Sequence, residues 1–191
     1  MALVNADCCF ITIDVGAYVA SSDCNIFKNS NFCKKKLEGN HLNIPGPWPL
    51  PNEDNGTPMA LVIVRDEAFA LSQHDLQPYS SRNFDVARRI CNYRLTRARR
   101  MVECPFGIVC NKWRILHRAI DVCPLFCDAI VKTCCRLHSF VRQKDGFQFR
   151  DALYEWPLKS IKAVGTRGNV TGKAVREYCA TYSTSQLGSV P

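Results

Sequence analysis

The sequence predicts an α/β fold. Three observations carry that prediction. Residues 2–16 hold two short β-prone runs around turn chemistry. Residues 59–64, "MALVIV", form a continuous apolar run, which is how a strand buried on both faces reads. Residues 85–111 and 124–142 repeat apolar positions at the helical period. Composition agrees: 191 residues, 47% hydrophobic and 22% charged, describe a globular chain rather than a disordered or collagen-like one. That length suits one domain, or one domain with a tail, and a domain of this size buries roughly 70% of its unfolded surface without a disulfide or metal staple.

In chain order, "ALV" and "CFITIDV" with "NAD" between them make a hairpin over residues 2–16. Residues 17–37 are mixed, and Ser22 is placed to cap a short helix carrying Asp23, Ile26 and Phe27. Residues 43–58 contain five prolines and two glycines and must be a loop. The apolar run 59–64 follows, with Asp66 just beyond it. Ala87, Cys91, Leu95, Ala98, Val102 and Phe106 draw one stripe along the first long helix, which Pro105 should kink or end. Pro124 suits the first turn of the second helix, where Ile130, Cys134, Leu137 and Val141 make the buried stripe. Periodicity fades after Lys144. The expected division is a domain over residues 2–142 and a loosely ordered C-terminal extension over 143–191, whose end is rich in Gly, Ser and Thr.

The N-terminus lacks a basic stretch followed by an apolar run, so no secretory signal is expected, and no apolar run approaches the length of a membrane span. The twelve cysteines therefore read as mostly reduced thiols, many buried as small apolar side chains. Structural zinc is the competing reading. No Cys-x-x-Cys pair exists, and the nearest approaches are Cys123 with Cys127, and Cys134 and Cys135 with His138. There is no phosphate-cradling glycine motif and no recognisable Ser or Cys nucleophile context.

Charge is concentrated. The chain carries 25 Lys and Arg against 17 Asp and Glu, a net +8. Residues 82–118 hold ten basic residues and two acids, so this one segment accounts for the whole excess. Arg89, Arg94, Arg97, Arg99 and Arg100 dominate it. Arginine over lysine favours bidentate contact with phosphate, and a nucleic-acid backbone is the natural partner. The plainer alternative is a solvated helix face with ordinary ion pairs.

Three carboxylates stand out. Asp66 lies past the end of a predicted strand, where α/β folds build sites. Glu103 interrupts the basic run, at a spacing that also permits pairing with Arg99 or Arg100. Asp23 sits at a predicted helix start. Grouped, such carboxylates suit Mg²⁺ or Mn²⁺ and phosphodiester cleavage. His138 reads as a packed or capping histidine rather than a ligand.

The blocks "DVGAYVASSDCNIFKNS", "VIVRDEAFALS", "PYSSRN", "NYRLTRARRMVECPFGI", "NKWRIL" and "VKTCCRLHSFVR" follow one another in the order of PIF/Harbinger-type transposases. Over residues 2–142 the chain resembles the DDE superfamily nuclease domain derived from those transposases. The resemblance implies an RNase H-like fold, a divalent-metal-dependent (Mg²⁺ or Mn²⁺) DNA endonuclease, and action in the nucleus, with the cytoplasm as a second compartment. It implies DNA as substrate, a Myb/SANT-like protein partner and no membrane. Asp23 resembles the family's second acidic position, Asp66 the acid of its "GDxxY/F" strand end, and Glu103 its catalytic glutamate. Asp66 and Glu103 are thus the expected catalytic residues, and Asp23, Asp66 and Glu103 the expected metal ligands.

The chain departs from the family pattern at named places. The "DGxH"-like strand bearing the first catalytic Asp is not in this sequence, so the expected fold is truncated at its N-terminus and lacks a central strand. Ala20-Ser21-Ser22-Asp23 stands for "GSxHD", Arg65 for the glycine before the strand-end acid, and "VECPFG" for "VENAFG". Two functional expectations follow. One is an endonuclease that draws its first Asp from a longer transcript or another chain. The other is a catalytically inactive DNA-binding or protein-interaction remnant.

Overall fold

A computed structural model describes residues 1–17, 22–37, 45–80, 84–146 and 169–188, with only the backbone for 35–37. The elements in chain order are β1 (Ala2–Val4), β2 (Phe10–Ile13), α1 (Asp23–Asn29), α2 (Asn31–Leu37), β3 (Ile63–Val64), β4 (Asp75–Leu76), α3 (Val86–Arg100), α4 (Glu103–Lys112), a 3₁₀ turn (Arg114–His117), α5 (Pro124–Asp145) and α6 (Val170–Thr184). The fold mixes helices and sheets, as an α/β reading requires. The chain divides into two compact units, one of residues Met1–Gly39 and Arg100–Ser160, the other of Asn40–Arg99 and Ile161–Pro191.

In the first unit β1 and β2 pair antiparallel, Ala2 opposite Ile13 and Leu3 opposite Thr12, with a bulge before Val4 meets Phe10. Asn5 builds the connecting turn, its side-chain oxygen accepting from the amides of Asp7 (3.1 Å) and Cys9 (2.9 Å). Helix α5 clasps that turn. His138 Nε2 donates to the Cys8 carbonyl at 2.9 Å, Ser139 Oγ accepts from the Phe10 amide at 2.9 Å, and Arg142 Nε donates to the Asp7 carbonyl at 2.9 Å. The Phe10 ring packs edge-on against His138 and against Phe106 of α4. His138 is thus the packed histidine expected.

The clasp also moves the buried face of α5. The expected stripe was Ile130, Cys134, Leu137 and Val141. The buried residues are Cys134, Cys135 and His138, while Leu137 is 45% exposed. The hairpin turn sits over 138, 139 and 142, and this rotates the contact line by about one residue. Ser22 caps α1 as expected, and Ser30 joins α1 to α2 by donating to the Phe27 carbonyl and accepting from the Cys33 amide. The long helix predicted over 85–111 is two helices, α3 and α4. Pro105 occupies the third position of α4, where its missing N–H removes no intrahelical bond. Pro124 opens α5 as predicted.

The second unit departs more from expectation. The apolar run 59–64 is not a fully buried strand. Only Ile63 and Val64 are β, pairing parallel with Asp75 and Leu76, and both are half-buried. Met59 instead bridges to Trp48, and Leu61 is 47% exposed. A strand extends only as far as a neighbour satisfies its backbone groups, and β4 offers two residues. The core of this unit joins Leu71, Leu76 and Tyr79 to Cys91 and Leu95 of α3 and Ala180 of α6.

Helix α6 corrects a second expectation. Residues 170–184, read as loose tail, form a helix capped by Asn169, whose side chain accepts from the Gly172 amide at 2.7 Å. The composition that looked unstructured serves close packing. Thr181, Ser183 and Thr184 return their hydroxyls to carbonyls of the preceding turn. Gly172 is in contact with the backbone of Ser72. Tyr178 and Tyr182 reach Glu53 and the Pro51 carbonyl in the proline-rich loop. Residues 43–44, 147–168 and 189–191 of the predicted loop and tail lie outside the described residues, as do Ala20, Ser21 and Arg82.

The Gly172 contact gives a test whose sign opposes helix propensity. A Cβ at this position would meet the Ser72 carbonyl oxygen at 2.8 Å and Leu71 Cγ at 2.9 Å. In an exposed helix, Gly→Ala stabilises by roughly 1 kcal/mol. Here Gly172→Ala is expected to destabilise by about 1–3 kcal/mol. A lower urea midpoint checks this, with Lys173→Ala on the solvent side as a control that leaves it unchanged.

Candidate nucleic-acid interface and carboxylates

Helix α3 carries six arginines and no acid. Its 3.6-residue period sends them to different tasks. Arg88 pairs with Glu177 of α6 at 3.1 Å, and Arg94 donates to the Gly188 carbonyl at 2.7 Å. Arg99 pairs with Asp66 at 3.1 Å. Arg89, Arg97 and Arg100 are exposed, and their side chains have no ion pair or hydrogen bond among the described residues. Of the five arginines predicted to contact nucleic acid, Arg89, Arg97 and Arg100 are therefore at liberty, while Arg94 and Arg99 are used by the fold.

The inner arginines organise the second unit. Tyr79 lies between the guanidinium of Arg176, 4.0 Å from its ring centre, and that of Arg88, at 5.3 Å. Asn92 of α3 holds the Tyr79 backbone at both ends, accepting from its amide (2.8 Å) and donating to its carbonyl (3.1 Å). Burial first, and then the charge of Glu177, push the Tyr79 phenol up to about 12.

Asp66 lies two residues beyond β3. One carboxylate oxygen accepts from the Ala68 amide at 3.1 Å, closing a tight turn, and the other takes Arg99. Both partners of the pair are about one-third exposed. The preceding Arg65 is buried against Asp75 of β4 at 2.8 Å, with side-chain exposures of 9% and 12%. That pair explains why a long cation is tolerated beside a strand end. Glu103 opens α4 and Asp23 opens α1. Both are exposed, and an acid at a helix N-terminus is favourable. Asp23 and Glu103 belong to the first unit and Asp66 to the second.

All twelve cysteines are free thiols. Burial pushes several up, Cys135 and Cys179 to about 11, in each case reinforced by a neighbouring thiol. Such thiols are poor nucleophiles and poor ligands. No three His, Cys, Asp or Glu side chains among the described residues group closely enough to hold a metal ion. The zinc alternative thus has no ligand set there, and His138 has already given Nε2 to a carbonyl.

The described residues thus combine a mixed α/β fold in two units with an arginine-rich helix and a strand-end carboxylate. The family model for the DDE superfamily endonucleases matches residues 1–139, and the chain belongs to that family. Neither the curated proteins nor the solved structures contain a match. The family suggests a metal-dependent nuclease acting on DNA, and its members generally use divalent metal ions. The described residues do not fit such an ion as they stand. The Asp66 carboxylate is committed to a guanidinium and an amide, and no second and third donor join it. No helix among the described residues is long and apolar enough to cross a membrane.

Two of the thiols make stability sensitive to alkali. Below pH 9.0, the ordinary thiol value, Cys135 and Cys179 are neutral in both folded and unfolded chain. Above it the unfolded thiols ionise first, and stability is lost until the folded groups titrate at about 11. The urea midpoint is expected to fall steadily between those two pH values. Replacing both cysteines with alanine should flatten that fall.

Proposed function

We propose that this chain is the nuclease domain of a PIF/Harbinger-type transposase descendant, spanning residues 2–142, with residues 143–191 as an extension. The observation that carries the reading is the match to the DDE superfamily endonucleases over residues 1–139, with six sequence blocks in the transposase order. In this reading the fold is RNase H-like, and the strand with the first aspartate is supplied from outside these 191 residues. DNA is the substrate and lies along α3. Arg89, Arg97 and Arg100 contact phosphate directly, and Arg94 and Arg99 add to the positive field. Asp66 and Glu103 are the catalytic carboxylates, Asp23 is an auxiliary one, and Mg²⁺ or Mn²⁺ is the ion they serve. The site of action is the nucleus, with a Myb/SANT-like protein as partner.

A second reading has its own support. Asp66 is held by Arg99 and the Ala68 amide, which suits a remnant that binds DNA without cutting it. Nicking of supercoiled DNA separates the two. The nuclease reading expects nicking that requires Mg²⁺ or Mn²⁺, stops with a chelator, and falls at least about a hundredfold in Glu103→Gln and Asp66→Asn, as losing a transition-state contact of several kcal/mol requires. DNA binding with no metal-dependent nicking, even when an upstream "DGxH"-containing segment is restored, would overturn it in favour of the remnant.

The DNA face is tested by salt. Each phosphate neutralised adds about 0.9 to the slope of log affinity against log salt. Arg97→Ala is expected to weaken binding about equally for unrelated sequences and to lower that slope by roughly 1. A slope unchanged in Arg89→Ala and Arg97→Ala alike would remove α3 from the interface.

A further inference from the structure

We propose that the outer face of α3 engages unpaired DNA, with a nucleobase stacked on Tyr93 between phosphate contacts from Arg89 and Arg97. The proposal rests on the reading of α3 as a DNA-binding face and says which form of DNA that face selects. Arg89, Tyr93 and Arg97 follow at intervals of four, so they share one side of the helix. All three are exposed, Tyr93 at 68%. The Cα atoms of Arg89 and Arg97 are about 12 Å apart along the axis, with that of Tyr93 midway.

Tyr93 differs from the other described tyrosines. Tyr79 is buried between guanidiniums, and Tyr178 and Tyr182 spend their hydroxyls on Glu53 and the Pro51 carbonyl. The Tyr93 ring has no ring contact, cation contact or hydrogen bond among the described residues. An open aromatic face beside free guanidiniums is the arrangement that holds single strands, because every base has a π face and every nucleotide a phosphate. In a duplex the bases already stack on each other, so the ring adds nothing there. The helix carries no acid to repel a phosphate backbone.

Fluorescence polarisation with a labelled thymine oligonucleotide and a duplex of equal length tests this. Tyr93→Ala is expected to weaken binding to the single strand about tenfold, the usual worth of one base–aromatic stack, and to leave duplex affinity unchanged. Tyr93→Phe should keep single-strand affinity, since stacking needs the ring and not the hydroxyl. With a bromodeoxyuridine oligonucleotide, ultraviolet cross-linking should fall on the tryptic peptide of residues 90–94. Full single-strand affinity in Tyr93→Ala, or an equal loss on both DNAs, would overturn the inference while leaving α3 as a DNA face. Absence of salt-dependent binding by the unaltered chain to either DNA would overturn the underlying reading as well. Tyr93 is on the surface, so the thermal midpoint of these variants should match the parent.

Discussion

Every buried backbone amide and carbonyl needs a partner, and the described residues hold little sheet to supply one. The described strands are two to four residues long, paired only two by two. Helices satisfy themselves internally, but the segments between them cannot. The remaining demand is met by side chains reaching across to backbone. Asn5 and His138 serve the hairpin turn, Ser30 the α1–α2 junction, Asn92 both ends of Tyr79, and Asn169 the start of α6. These residues do the work that a wider sheet does elsewhere. Removing one leaves an unpaired buried group as well as a lost bond, at a cost of about 1–3 kcal/mol.

The same economy governs the arginines. A guanidinium carries five donors and cannot be neutralised, so inside the protein it must find acceptors. On α3 the helical period assigns Arg88 and Arg94 to partners within the unit and turns Arg89 and Arg97 to water. A net charge of +8 gathered in one segment is therefore not +8 presented to a ligand. What is presented is a narrower stripe, and its spacing, rather than its total charge, decides which polyanion it fits. Charge counting finds the segment, while periodicity combined with burial finds the stripe and the aromatic residue within it.

The elements with local causes were legible in the sequence. The hairpin, the Ser22 cap, the division of α3 from α4 just before Pro105 and the start of α5 at Pro124 all follow from chemistry within a few residues. Three features were not legible, each because its cause is distant. The run 59–64 has the composition of a central strand, but its extent is set by β4, a dozen residues on. The buried face of α5 is set by a turn some 130 residues away. Helix α6 is built from residues of poor intrinsic propensity, held by a cap, by packing on Leu71 and Leu76, and by a glycine whose smallness matters only because Ser72 is opposite. Sequence alone singled out Asp66 and the basic helix, while the pairing of Asp66 with Arg99, 33 residues on, has a tertiary cause.

That partnership bears on what Asp66 can still do. An ion pair with both members about one-third exposed is screened by water and contributes on the order of 0–1 kcal/mol. The guanidinium therefore does not seal the carboxylate, and a stronger cation or a phosphate competing for Arg99 could separate them at little cost. The bond from the Ala68 amide, equal in length at 3.1 Å, fixes the direction of the carboxylate and is part of the turn after β3. The carboxylate is thus held in place by its own turn and covered by a weakly bound cation. What a metal would further need there is neighbouring oxygen donors, and Mg²⁺ takes these from water and substrate phosphate as well as from carboxylates.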